Sequence, residues 1–200
     1  MEEVIPGDVH GRDAAASSTS GVLTRRVLFR EFLIALVPVA ALGIALGWGN
    51  LLVLDYVHVL SGGTWTGVDL FMGVVMSRVF RALPIPGRVE LAKRLTPREL
   101  FLLPSLASVA ITSGIYVALT EGRFNLSNPL ILAAGIVVLI LTVQGFGFLL
   151  PTSVRILLEI NKPKPDTQKI ARLQSRNLLA AGSQAVFQFA IIFIMANLAL

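Results

Sequence analysis

The chain has 200 residues, 54% of them apolar and 14% charged, with a net charge of +5, a mean hydropathy of +0.76 and no cysteine. A soluble globule of this composition would lack the polar surface to cover itself, so an integral membrane protein is expected. Without cysteine there are no disulfides, no cysteine-ligated metal or iron–sulfur site, no thiol catalysis and no Cys-x-x-Cys-His attachment of a c-type haem, and in a membrane protein the excess of basic residues does not imply nucleic acid.

Residues 1–25 are polar, partly acidic and rich in small side chains. No apolar core follows a basic start, so they do not form a signal peptide. They read as a disordered tail that carries a solvated His10, and residues 26–200 read as one transmembrane domain. Arg25, Arg26 and Arg30 lead into a first apolar segment, Phe32 to Gly47, with Pro38 inside it. That is shorter than the ~20 residues needed to cross a ~30 Å hydrocarbon core, so it should extend through Leu28 or Trp48. Gly47-Trp48-Gly49-Asn50 is a tight turn signal, with Trp48 suited to a membrane interface.

The second span should run from about Leu51 to Ser77. A basic loop follows, with Arg78, Arg81, Arg88, Lys93, Arg94 and Arg98, and with Pro84, Pro86 and Pro97 expected to break helix. A helix-start pattern at Thr96-Pro97-Arg98-Glu99 opens a third span to Leu119. Thr120 to Asn128 is a turn. Asn128-Pro129 begins a fourth span that meets Pro151 near Leu150, and helix could continue to Glu159. After an Asn161–Asp166 loop comes a basic amphipathic piece, Thr167 to Arg176, and then a fifth span from Asn177 to Leu200.

The tail, the second-to-third connection and the fourth-to-fifth connection hold 4, 6 and 6 of the 17 lysines and arginines, and the other side holds only Arg123. Positive residues stay cytoplasmic. The expectation is an all-α bundle of five transmembrane helices in the plasma membrane, N-terminus inside and C-terminus outside. Anionic lipid headgroups are a further partner for the second-to-third connection, though topology alone accounts for its charges.

Within the second span, steps of three and four residues link Asp55, His58, Gly62, Trp65, Asp69, Met72 and Met76 on one helical face. Ionisable groups in a span cost roughly 2.5–3.5 kcal/mol each on insertion scales and usually face the bundle interior or a polar cavity. Small or polar residues also recur elsewhere: Gly63, Gly67 and Gly73; Ser105, Ser108 and Thr112, with Ser113-Gly114 beside them; Gln144, Gly145 and Gly147; and Asn177, Ala181, Gln184, Gln188 and Met195 along one face of the fifth span. Helix–helix contact explains most of these. Gln184 and Gln188 facing the Asp69 half of the second helix would be one such contact.

His58 has two readings on residue chemistry. It could be a neutral imidazole bonded to Asp55 or to a Ser or Thr of the third span. It could also be an axial ligand of haem iron or a copper ligand, its second nitrogen oriented by Asp55 or a backbone carbonyl. Trp65 on the same face would pack in the core or against a porphyrin. His58 lies ~12 Å and Met195 ~7.5 Å from the outer end at 1.5 Å per residue, so Met195 is a candidate second ligand. Met72 and Met76 are on His58's own helix near the inner side and are not.

His58-x6-Trp65-x-Gly67, the basic connection after it and Thr112-Ser113-Gly114-Ile115-Tyr116 together resemble a superfamily of small membrane proteins. It contains the copper-resistance D family, the membrane domain of bacterial urate oxidases fused to cytochrome c, and the membrane protoporphyrinogen oxidases of haem synthesis. The likeness covers about residues 51 to 160. It implies a helical bundle in which His58 binds haem b. The protoporphyrinogen oxidases carry an important lysine within a later helix, whereas every lysine here lies in a loop. The urate oxidases have a haem c domain that is absent here, and the copper transporters use outer-face Met or His residues, of which only Met195 has a counterpart.

Three functions are therefore expected to compete. The first is a b-haem protein of membrane electron transfer, ligated by His58 and served by a quinone or a redox protein. The second is transport of copper or another cation, with Asp55, His58, Asp69, Met72, Met76, Gln184 and Gln188 along an ion or proton pathway. The third is an accessory subunit of a respiratory complex or a homo-oligomer, its small-residue faces covered by partner helices. No nucleophile–base–acid set, phosphate loop or zinc histidine pair points to a hydrolase.

Overall fold

A computed structural model describes residues 25–199, with side chains described from 26 to 198, and among these the chain is helical between short turns. The expected tail, His10 included, lies outside the described residues. Five helices are long and apolar enough to cross a membrane: Arg26–Trp48, Leu51–Ala82, Ile85–Thr120, Pro129–Ile160 and Thr167–Leu198. They are numbered here as spans one to five.

The turns follow the chemistry of their residues. Span one ends at Gly49, whose φ of +66° a side chain would resist, and Asn50 then caps span two by accepting from Val53 N at 3.2 Å. Gly122 (φ +67°) closes span three, and Asn128 caps span four by accepting from Leu130 N at 2.9 Å, with Pro129 in its first turn. Asp166 caps span five through Lys169 N at 2.9 Å.

The Arg78–Arg98 segment differs from expectation. Span two continues to Ala82, the chain bends only at Leu83-Pro84, and span three starts at Ile85. Pro86 sits in the first helical turn, where its missing N–H costs nothing. Pro97 is buried inside the helix. It leaves the Lys93 carbonyl without its helical donor, and next to it the Arg98 guanidinium donates to the Arg94 carbonyl at 2.8 Å. The basic piece Thr167 to Arg176 and the fifth span are one helix, with a buried polar-and-small face that runs from Gln174 to Gln188.

Two turns widen to π-helix, Phe71–Met76 in span two and Val143–Leu149 in span four. The second comes just before Pro151, which cannot complete a regular turn. The first carries Gly73, which meets Gly182 of span five backbone to backbone with no room for a β-carbon. The Ser77 hydroxyl donates to the Gly73 carbonyl there. Gly145 in the other π-turn faces the Gln184 side chain, so both widened turns press on the same stretch of span five.

Spans two to five share the core. Span one lies against span three and buries only Glu31, Ala35 and Ala45. The core is layered along the bundle. At the basic end, Val89, Ala92, Ile156, Ile160 and Ile170 pack together; Met72, Phe80, Leu149, Leu178 and Ala181 come next, then Trp65, Leu106, Ala107, Ala110 and Leu141, and at the far end Ala45, Leu54 and Val117. Ionic clasps close the basic end: Glu159 binds Lys162 and Lys169 at 2.9 and 2.7 Å, and buried Glu31 binds Arg30 at 2.8 Å and approaches Arg98 at 3.7 Å.

Candidate functional site

Asp69 is fully buried, and Gln188 Nε2 donates to its Oδ2 at 2.8 Å. Its other oxygen, Oδ1, has no hydrogen-bond partner, and neither does Gln188 Oε1. Glu99 of span three is close enough for the two carboxyl groups to interact electrostatically. Asp69 forms no ion pair with any lysine or arginine among the described residues. Its helical position puts it roughly 27 Å from the Leu51 end of span two at 1.5 Å per residue, toward the basic end of the bundle.

Buried polar groups continue around it. Gln174 and Asn177 of span five, Ser153 of span four and Thr96 of span three are buried. Thr96 donates to Gln174 Oε1 at 3.2 Å and Asn177 Nδ2 donates to Ser153 Oγ at 2.9 Å. Gln184 Nε2 donates to the Leu141 carbonyl at 3.0 Å. Glu99 Oε1, Asn177 Oδ1 and Gln174 Nε2 are enclosed without partners. A cavity of about 40 Å³ opens beside them, its wall mostly apolar and including Glu99, Asn177, Ser153, Gln184, Trp65 and Met72. About 10–15 Å³ admits one water, so this chamber has room for a short hydrogen-bonded chain.

His58 belongs to a second, separate place. Its Nδ1 donates to the Ala110 carbonyl at 2.9 Å, Ser113 Oγ lies 3.4 Å from the same nitrogen, and the ring rests on Gly114, where a β-carbon would come within 2.6 Å of Cε1. Ser113 donates its own proton to Val109 O at 2.6 Å. The imidazole is therefore held as the Nδ1–H tautomer, and Nε2 makes no hydrogen bond among the described residues. Trp65 and its layer, with Leu106, Ala107, Ala110 and Leu141, stand between His58 and the Asp69 chamber.

The seven-residue face of span two thus divides. Trp65, Asp69 and Met72 are buried, Met76 and His58 are half-buried, and Asp55 is exposed. The backbone carbonyl of Ala110, and not Asp55, orients the imidazole. Met195 is half-buried on span five, whereas the ring contacts of His58 run to span three. No group of three or more His, Asp or Glu side chains among the described residues is placed to hold a metal ion. The expected contact of span five with the Asp69 half of span two is present through Gln188, whereas Gln184 donates to the Leu141 carbonyl of span four.

Glu99, Gln174, Ser153 and Glu31 were not singled out by the sequence. A signal existed for the first: Glu99, Leu103, Leu106, Ala110 and Ser113 recur by threes and fours, and the last three of these are buried. Gln174 continues the face of Asn177, Ala181, Gln184 and Gln188 one turn further. Comparison with protein families, with curated proteins and with solved structures found no match.

Proposed function

We propose that this protein handles protons in a membrane, with Asp69 and Glu99 as the working groups and a small chamber lined by Glu99 near its basic end. The observation that carries this is a fully buried carboxyl group bonded to the Gln188 amide, within electrostatic reach of a second carboxyl, Glu99, that lies on the wall of a small internal cavity. An ionisable side chain inside a membrane protein that no opposite charge neutralises marks a proton or ion path by default. The distribution of arginine and lysine supports a chamber on the cytoplasmic side of the plasma membrane, with the N-terminus inside and the C-terminus outside.

The test is voltage-driven proton entry into proteoliposomes that contain a pH-sensitive dye. Asp69→Asn should lower the flux at least tenfold, while Asp55→Asn, at an exposed position, should leave it unchanged. Equal flux in the wild type and Asp69→Asn would remove the proposal.

A second reading is membrane electron transfer with haem b on His58, as the resemblance to the copper-resistance D superfamily implies. One observation favours it: a carbonyl holds Nδ1–H and leaves Nε2 as a lone-pair donor, the arrangement usual for metal-bound imidazoles. The fit is partial, because the Cε1 corner of the ring is packed against Gly114 and neither of the two cavities described for this bundle is lined by His58. A haem there would sit on the outer flank of spans two and three, against lipid or a partner helix. A Soret band that disappears in His58→Ala would support this reading.

A further inference from the structure

A groove runs along the outside of the bundle between spans one, three and four. Its volume is about 440 Å³ and its walls are almost wholly apolar, including Phe32, Phe101, Leu36 and Val154. Leu100, Pro104 and Leu150 line both this groove and the 40 Å³ chamber, so these three side chains are the partition between them. The one hydroxyl in the groove, Ser105, is already bonded to the Ala35 carbonyl. Behind the partition, Glu99 Oε1 and Asn177 Oδ1 are enclosed acceptors without donors, and Asn177 is only 5% exposed.

We propose that groove and chamber together form a binding site for an isoprenoid quinol taken from the bilayer. Hydrocarbon lies in the groove, which opens sideways where lipid tails are. The aromatic ring lies at the inner end, between the Phe101 and Pro104 side and span four, after Leu100 and Leu150 rotate aside. The chamber is too small for a ring but takes its hydroxyl edge. The unpaired atoms of residues on the chamber wall, Glu99 Oε1 and Asn177 Oδ1, are acceptors, and the unpaired Gln174 amide does not line it, so the head must donate. A hydroxyl reaching Glu99 or Asn177 supplies a donor to a buried acceptor that otherwise has none. Aromatic walls at Phe101, Phe146 and Trp65 suit a flat ring over a plain alkyl alcohol.

The site shares Glu99 with the proposed proton centre but does not depend on proton transport. Asp69→Asn should abolish flux and leave quinol binding intact, so the two can fail separately.

Trp65 lines the chamber, and the chain's other tryptophan, Trp48, sits 73% exposed in a distant turn. In a Trp48→Phe background, emission of Trp65 in detergent is titrated anaerobically with a decyl-tailed naphthoquinol, which absorbs in the tryptophan emission range. The expected result is saturable quenching that weakens at least tenfold in Asn177→Leu and in Val154→Phe, the latter filling the groove from its exposed edge without touching the chamber. Circular dichroism and thermal unfolding verify that each variant is folded, and if Asn177→Leu fails, Val154→Phe decides. Unsaturable quenching that is the same in a folded variant overturns the proposal. So does equal binding of the doubly O-methylated compound, which has no donors, or equal competition by decanol, which would make the site a general one for hydroxylated lipids.

Discussion

At the scale of single residues, what matters is which buried polar atoms are satisfied. Asp69→Asn preserves a hydrogen-bonding partner for Gln188, so it should fold with little loss of stability; Asp69→Ala strands the Gln188 amide and should cost about 1–3 kcal/mol. A double-mutant cycle on Asp69 and Gln188, read from unfolding in mixed micelles, should give a coupling of about 0.6–1.7 kcal/mol, the range for hydrogen bonds between membrane helices. A coupling of zero would mean that the 2.8 Å bond holds nothing. Gly114→Ala drives a β-carbon into the His58 ring and should destabilise by about 1–3 kcal/mol as an overpacked core does. His58→Ala in the same chain should relieve most of that loss, and failure to do so would show that the ring does not lie on Gly114. The sequence exposed the importance of His58 and Asp69 because ionisable residues are rare in apolar helices. It could not separate them into two sites, because one helical face passes several neighbours along its length and the Trp65 layer that divides them is made partly by spans three and four.

At the scale of helices, small residues show how little a stripe reveals about its partner. Gly63 and Gly67, four residues apart, looked like a contact surface, yet both are exposed with nothing near their missing β-carbons. The close approach is made instead by Gly73 and Gly182, inside a π-turn that no periodicity announces. Gly73→Ala should therefore force spans two and five apart and reduce the yield of monodisperse folded protein severely, with a cost of about 1–3 kcal/mol or more. Gly63→Ala should be neutral or slightly stabilising, since alanine favours helix over glycine by about 1 kcal/mol. Similar yields for the two variants would contradict the packing of spans two and five. The boundaries that the sequence displaced, at Arg78–Arg98 and before Asn177, share one cause. Proline and basic residues read as loop when a helix is imagined to end at the hydrocarbon, but helix continues through them here, with Pro86 in a first turn and Pro97 next to an arginine that serves a neighbouring carbonyl.

At the scale of the whole molecule, five apolar rods were legible from hydropathy alone, and so was the alternation of basic residues between the two ends of the bundle. The peripheral place of span one was not, because its composition is as apolar as the others while only Glu31, Ala35 and Ala45 are buried. The orientation is open to a clean check, since the chain has no cysteine to remove. A single cysteine at Asn125 should react with an impermeant thiol reagent on intact cells, and one at Lys164 only after the membrane is opened; the reverse pattern would invert the chamber to the other side of the bilayer. A protein that handles protons at Asp69 and Glu99 must exchange them with bulk water while folded. Infrared titration of the reconstituted protein reads this directly. The account predicts carboxyl bands that follow the pH of the medium and exchange in heavy water, one lost in Asp69→Asn and another in Glu99→Gln. Bands assigned to these two groups that respond neither to pH nor to heavy water in the folded protein would contradict it.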